Sequence, residues 1–88
     1  MRFEATVDVQ LKPGIADPEG ATIERALEAL GFDDVARVRA GRSFHFEVDA
    51  DDAEDARSRT EELANRLLAN PVIEESTVEV SPLSEVTR

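Results

Sequence analysis

Residues 2–11 read RFEATVDVQL, and this stretch decides the fold. Every second residue is apolar: Phe3, Ala5, Val7, Val9 and Leu11. Successive side chains of a β-strand point to opposite faces, so the alternation predicts a strand with one buried face and one polar face. The turn sequence Lys12-Pro13-Gly14 ends the strand, because proline has no N–H to donate to a neighbouring strand.

Two segments have the apolar spacing of amphipathic helices. The first begins at Asp17-Pro18, an N-cap followed by proline at the first helical position, and ends at Gly31. Its apolar stripe consists of Ile23, Ala26, Leu27 and Leu30. The second begins at a capping box that starts with Asp51 and ends at Asn70-Pro71. Its stripe consists of Ala53, Ala56, Thr60, Leu63, Ala64 and Leu67.

The remaining apolar runs predict strands. A hairpin turns near residues 40–42, and its arms contain Val35, Val38 and Ala40, then Phe44, Phe46 and Val48. The last strand contains Val72, Ile73, Thr77, Val78 and Val80. The order β-α-β-β-α-β indicates a two-layer α+β domain in ferredoxin-like order, an antiparallel sheet with both helices on one face.

The other face of this sheet is expected to be polar. It carries Arg2, Glu4, Thr6, Asp8, Ser43, His45 and Glu47. The single domain is predicted to span residues 1–80. Residues 81–88 are polar and contain a proline, which predicts a loose C-terminal tail.

Composition excludes several classes of function. The 88 residues carry a formal net charge of -10, which argues against binding to nucleic acid or to an anionic membrane surface. The chain has no cysteine, so a disulfide framework, a thiol nucleophile and a Cys-ligated zinc are all excluded. No apolar run is long enough for a membrane span or a secretory signal, so the cytoplasm is the expected location.

A chain of this size forms a small core with a thin margin of stability, and a partner chain is one of the few ways to extend that core. We therefore expect self-association, as a homodimer or a dimer of dimers.

The basic residues are unusual, because Lys12 is the only lysine and the other nine are arginine. An acidic surface with arginine in place of lysine is similar to proteins of salt-loving organisms. Screening reduces repulsion among carboxylates, so we expect the far-UV circular dichroism melting temperature to rise with KCl. A melting temperature unchanged between low and molar salt would contradict this expectation.

The candidate chemical groups form no catalytic constellation. His45 could act as a general base, but no nucleophile or second histidine accompanies it, and a solvated strand histidine is favoured. The carboxylates of residues 51, 52 and 55 are explained by helix capping better than by a metal site. Arg37, Arg39 and Arg42 form a local positive cluster without the aromatic residues of a nucleic-acid site.

Several motifs resemble the PurS family, the small subunit of phosphoribosylformylglycinamidine synthase in purine biosynthesis. They are the runs LKPGI at residues 11–15, DPEG at 17–20, LGF at 30–32, GR at 41–42 and LLANPVIE at 67–74. The similarity extends from about Arg2 to Val80. A small-molecule-sensing module of the ACT-like kind shares the same order of elements and is the alternative.

The resemblance implies a role without catalysis on this chain. The family's complex joins PurS to a glutaminase subunit, PurQ, and an ATP-dependent synthetase subunit, PurL. PurS is expected to bridge the two and to assist ammonia transfer, with no catalytic, cofactor or metal site of its own, since its partners use ATP and glutamine. Loops on a rigid scaffold commonly carry function. The partner-docking candidates are therefore Lys12, Pro13, Gly14, Asp17, Pro18, Asn70 and Pro71.

Overall fold

The computed structural model describes residues 1–83. In chain order the elements are β1 (Arg2–Leu11), α1 (Pro18–Ala29), β2 (Gly41–Asp49), α2 (Ala53–Leu63), a π-helical turn (Ala64–Leu68) and β3 (Glu74–Pro82). Within these residues the sheet has three strands in the order β2-β1-β3, and both pairings are antiparallel. The α+β class and the antiparallel sheet are confirmed.

The core lies on one face of the central strand. Phe3, Ala5, Val7 and Val9 of β1 are each at most 2% exposed, as the alternation predicted. Val7 pairs with Phe44 of β2 on one side and with Val78 of β3 on the other. This inner face is covered by α2, which lies mainly over β3.

The opposite face of the sheet is polar, as predicted. Its cross-strand pairs include Glu4 with Glu47, Thr6 with His45, and Asp8 with Ser43. The two like charges of the first pair are offset by Arg2, whose guanidinium donates to Glu47 at 3.0 Å.

The predicted hairpin is wrong in its first arm. Residues 32–40 form no strand, and β2 begins at Gly41. Arg37 has φ of 60°, which takes the chain out of the extended conformation. The N–H groups of Val38 and Ala40 donate to the side chains of Glu24 and Asp17 instead of a neighbouring strand.

The prediction that both helices lie on one sheet face is also wrong. Within residues 1–83 no substantial packing joins α1 to the sheet, and Ile23 and Leu30 are 42% and 71% exposed. The radius of gyration is 16.6 Å, whereas a compact domain of this length has about 12 Å. The segment after α1 folds back along this helix, where Val38 N–H donates to the carboxylate of Glu24.

Two helix boundaries differ in detail from the predictions. The N-cap of α2 is Asp52, one residue after the predicted Asp51, and its carboxylate accepts from the N–H of Asp55. At the other end Ala69 N–H bonds to Ala64 C=O, an i to i+5 pattern. This wider turn places Leu68 against the core and leaves Leu67 73% exposed.

The C-terminal boundary lies slightly further along than predicted. Strand β3 runs to Pro82 and includes two residues assigned to the tail, because Glu4 pairs with Ser81 and Phe3 with Pro82. Leu83 follows the strand, and its N–H donates to the carbonyl of Arg2. Residues 84–88 of the predicted tail lie outside the described residues.

Candidate functional site

The candidate docking residues lie at one end of the sheet, where β1 ends and α1, β2 and β3 begin. We call this surface the loop end and define it as residues 11–18, 39–42 and 70–74. Side chains of these three segments form hydrogen bonds and ion pairs that link the ends of four elements.

Lys12 joins the first segment to the third. Its Nζ donates to the carbonyl of Pro71 at 2.7 Å, and its backbone N–H donates to the carbonyl of Ile73 at 2.8 Å. The exposed Pro13 and Gly14 form the turn that follows, and Gly14 has φ of 89°. The two motifs that the sequence separates by more than fifty residues are therefore adjacent in the fold.

Asp17 is the N-cap of α1 and also holds the start of β2. One carboxylate oxygen accepts from Gly20 N–H at 3.0 Å, and the other accepts from Ala40 N–H at 2.9 Å. The guanidinium of Arg39 lies 3.7 Å from this carboxylate and also donates to the carbonyl of Leu11. Asp17 and Arg39 together join the end of β1, the first turn of α1 and the start of β2.

Gly20 is required by this close packing. A Cβ atom at residue 20 would lie 2.6 Å from the Asp17 carboxylate and 2.6 Å from the backbone carbonyl of Val38. Any side chain there would push the loop away from α1.

Glu74 links the third segment to β2. Its carboxylate accepts from Asn70 N–H at 2.7 Å, and it pairs with the guanidinium of Arg42 at 2.8 Å. Arg42 also lies over the ring of Phe44, 5.7 Å from its centroid. Asn70 contributes further, since its side-chain oxygen accepts from Val72 N–H at 3.0 Å.

The residues predicted from the sequence did not include Arg39, Arg42 and Glu74, which also belong to the loop end. The positive cluster at residues 37–42 was visible in the sequence, but the carboxylates that it faces come from distant positions. Only the fold brings those carboxylates to the arginines.

The surface of the loop end is balanced in charge and partly apolar. Lys12, Arg39 and Arg42 offset Asp17, Glu74 and the neighbouring Glu19. An open depression of about 370 Å³ on this surface is lined by Leu11, Pro18 and Arg42 among others. Ile15, Val72 and Ile73, which also belong to the loop end, have exposed side chains. On a chain of net charge -10 this balance makes the loop end suitable for contact with another acidic protein.

The carboxylates of the loop end have depressed pKa values. Hydrogen bonds from the N–H groups of Gly20 and Ala40 hold the pKa of Asp17 below its usual 3.8, and Arg39 adds to this. The N–H of Asn70, with Arg42, likewise holds the pKa of Glu74 below 4.5. A depressed pKa means that the carboxylate stabilises the fold above its unfolded pKa, and that this contribution is lost as the pH falls through the folded pKa.

We expect Asp17→Asn to lower the melting temperature at neutral pH. The difference in melting temperature between this variant and the unaltered chain should shrink as the pH falls below 3.8. Thermal melts at pH values on both sides of 3.8 measure this. Asp34→Asn removes the same charge from a surface loop and serves as the control. A difference between Asp17→Asn and the unaltered chain that does not depend on pH would contradict the prediction.

The other candidate groups lie outside the loop end. His45 is exposed on the polar face of the sheet, with one ring nitrogen 3.3 Å from Thr6 Oγ1 and the other 3.2 Å from Ser43 Oγ. The acidic groups at residues 51–55 cap α2 and pair with Arg59. Across residues 1–83 no group of three or more histidine and carboxylate side chains is placed to hold a metal ion. Within the same range, no helix has the length and hydrophobicity to cross a bilayer.

Comparison with known proteins identifies the family. The family model described as PurS, phosphoribosylformylglycinamidine (FGAM) synthase, matches residues 4–82. The chain belongs to the PurS family. As a PurS protein it is a subunit of FGAM synthase in purine biosynthesis, and this confirms the resemblance in the motifs of residues 11–20 and 67–74.

Individual relatives agree with this assignment. The PurS subunit of FGAM synthase from Methanocaldococcus jannaschii is 37% identical over 92% of this chain and 98% of its own length. The PurS subunit from Thermotoga maritima is 40% identical over 86% of this chain and 93% of its own length. A solved structure of PurLQS from Thermotoga maritima matches with a TM-score of 0.83 at 37% identity, covering 92% of this chain and 99% of that one.

Proposed function

We propose that this chain is the non-catalytic adaptor of FGAM synthase. It docks a glutaminase subunit, PurQ, against an ATP-dependent synthetase subunit, PurL, in the cytoplasm and assists the passage of ammonia between them. Glutamine and ATP are bound by the partner subunits, and this chain carries no cofactor. The observation that carries the proposal is the structural similarity to a chain of PurLQS, a complex named for its PurL, PurQ and PurS subunits.

The construction of the loop end supports this role. Its segments are held by hydrogen bonds, of which the one from Ala40 N–H to Asp17 is half-buried and those of Lys12 and Asn70 are exposed, so the surface is ordered before a partner arrives. A preorganised surface loses less conformational entropy on binding than a mobile one. Ammonia released into water becomes protonated or diffuses away, so a fixed and dry path between two active sites requires that they be docked closely.

The loop end gives this proposal a direct test. Lys12→Gln removes one positive charge and its contact with Pro71. We expect binding to the PurL–PurQ pair to weaken by about tenfold, the effect of losing one well-placed interfacial contact of about 1.4 kcal/mol. Isothermal titration calorimetry measures the affinity.

Arg59→Gln removes the same charge from the exposed surface of α2 and is the matched control. Equal affinity of both variants would contradict docking through the loop end. The same calorimeter tests the ACT-like alternative, which requires heat on titration with free amino acids. If the chain is an adaptor, titration with free amino acids should release no heat of binding.

A further inference from the structure

Strand β2 is an open edge of the sheet, because the strand order β2-β1-β3 gives it a neighbour on one side only. Met1 and Ala50, at the end of the β1–β2 ladder, exchange both backbone hydrogen bonds, at 3.0 and 2.9 Å. Bonded and non-bonded pairs alternate along an antiparallel ladder, so the even-numbered residues of β2 bond to β1. The odd-numbered residues, which include Ser43, His45 and Glu47, direct their backbone N–H and C=O groups outward.

These outward backbone groups have no partner within residues 1–83. No atom of the described chain hydrogen-bonds to the backbone N–H or C=O of Ser43, His45 or Glu47. The other edge of the sheet differs, because Arg57 of α2 donates to the outward carbonyl of Val78 in β3 at 3.1 Å. Of the two edges, β2 is therefore the one that is open for pairing with a further strand.

The side chains of β2 define the kind of strand that fits beside it. On the polar face Glu47 and Asp49 are exposed, and both bond to the single guanidinium of Arg2. On the inner face the apolar side chains are only half-buried; they are Phe44, Phe46 and Val48. Cross-strand neighbours stabilise a sheet when opposite charges meet on one face and apolar side chains meet on the other. The complementary strand therefore alternates basic and apolar residues.

The strands of the chain itself do not have this composition. Each of the three strands carries more carboxylates than guanidinium groups. Pairing of β2 with a strand of another copy would bring like charges together on a chain that already has a net charge of -10. Charge therefore favours a different protein as the source of the added strand.

We propose that β2 accepts an extended basic segment of a partner subunit as a fourth strand of the sheet. This inference rests on the adaptor role, since an adaptor between two subunits needs a second docking surface besides the loop end. Glu47 lies about 20 Å along β2 from Gly41, where the strand leaves the loop end. One subunit can therefore occupy the loop end while a strand of the other pairs with β2.

Amide hydrogen exchange tests the pairing, with each residue resolved by mass spectrometry after electron-transfer fragmentation. In the chain alone, the outward N–H groups of Ser43, His45 and Glu47 should exchange much faster than those of Phe44 and Phe46, which bond to β1. In the complex with PurL and PurQ, exchange of the three outward groups should slow by roughly tenfold or more. The inner groups are already bonded and should change little.

A charge reversal tests the basic character of the partner strand. Glu47→Lys should weaken binding to the PurL–PurQ pair by roughly tenfold, because it places a cation beside a basic strand. Glu79→Lys makes the same change on the polar face of β3, away from the open edge, and should retain the affinity of the unaltered chain. Isothermal titration calorimetry measures the affinities, and circular dichroism confirms that both variants are folded.

The outcomes separate this inference from the adaptor role on which it rests. If the unaltered chain binds PurL and PurQ while the outward groups of β2 keep their exchange rates, the inference is overturned and the adaptor role stands. Slow exchange of these groups in the chain alone would mean that a second copy covers the edge, which also overturns the inference. Equal affinity of Glu47→Lys and Glu79→Lys would contradict a basic partner strand. Failure of the unaltered chain to bind PurL and PurQ would overturn both proposals.

Discussion

Phe3→Ala is expected to lower the free energy of unfolding by about 3–5 kcal/mol. Phe3 is 1% exposed and packs with Ala50, Ala56 and the half-buried Val48 and Val80, so its removal leaves a cavity that a two-layer fold cannot easily close. Domains of this size have a total stability of only about 4–13 kcal/mol. The melting temperature of the variant should therefore be lower by about 15 °C or more, and a fraction of the molecules should be unfolded at 25 °C.

Urea titration followed by far-UV circular dichroism measures the loss of stability in the unaltered chain and the variant. Leu67→Ala is the control, since it removes a large apolar side chain that is 73% exposed. We expect it to change stability by less than about 0.5 kcal/mol. A similar midpoint for Phe3→Ala and the unaltered chain would mean that the inner face of β1 is not the core.

The central strand and both ends of α1 could be predicted because short-range signals determine them. The alternation from Phe3 to Leu11 predicts one strand, and burial is confirmed for Phe3, Ala5, Val7 and Val9. Leu11, at the end of the strand, is only partly buried. Asp17 and Gly31 are local signals of the same kind. Gly31 has φ of 90°, and the bonds from Gly31 and Phe32 N–H to Glu28 and Leu27 carbonyls complete the helix end.

The errors arise where contacts between distant residues override local pattern. The alternation of Val38 and Ala40 indicated a strand, but the carboxylates of Glu24 and Asp17 take their N–H groups. The stripe of α1 indicated burial on the sheet of its own chain, although periodicity identifies an apolar face without identifying what covers it. The π-helical turn after α2 changed which leucine packs inward, because it adds a residue to the repeat.

The candidate site was predicted in part. The motifs around Lys12, Asp17 and Asn70 were recognised as candidates, and the fold brings them to one end of the sheet. Arg39, Arg42 and Glu74 were not predicted, because charged residues separated by more than twenty positions reveal their pairing only when the chain is folded.

The adaptor role has its largest expected effect in the complete synthase. If this chain positions PurQ against PurL, its removal should interrupt ammonia transfer and leave the chemistry of each partner intact. Glutamine-dependent FGAM synthesis should then fall to background without this chain, while synthesis supplied with an ammonium salt should continue. The second assay bypasses the transfer and serves as the control for an active synthetase.

The most direct test is reconstitution of FGAM synthase from separately purified PurL, PurQ and this chain, with glutamine as the nitrogen source. We expect no synthase or glutaminase activity from this chain alone and none of the glutamine-dependent synthesis from PurL with PurQ. Addition of this chain should restore synthesis in a saturable manner. Activity of the isolated chain, or full glutamine-dependent synthesis by the two partners without it, would contradict the account.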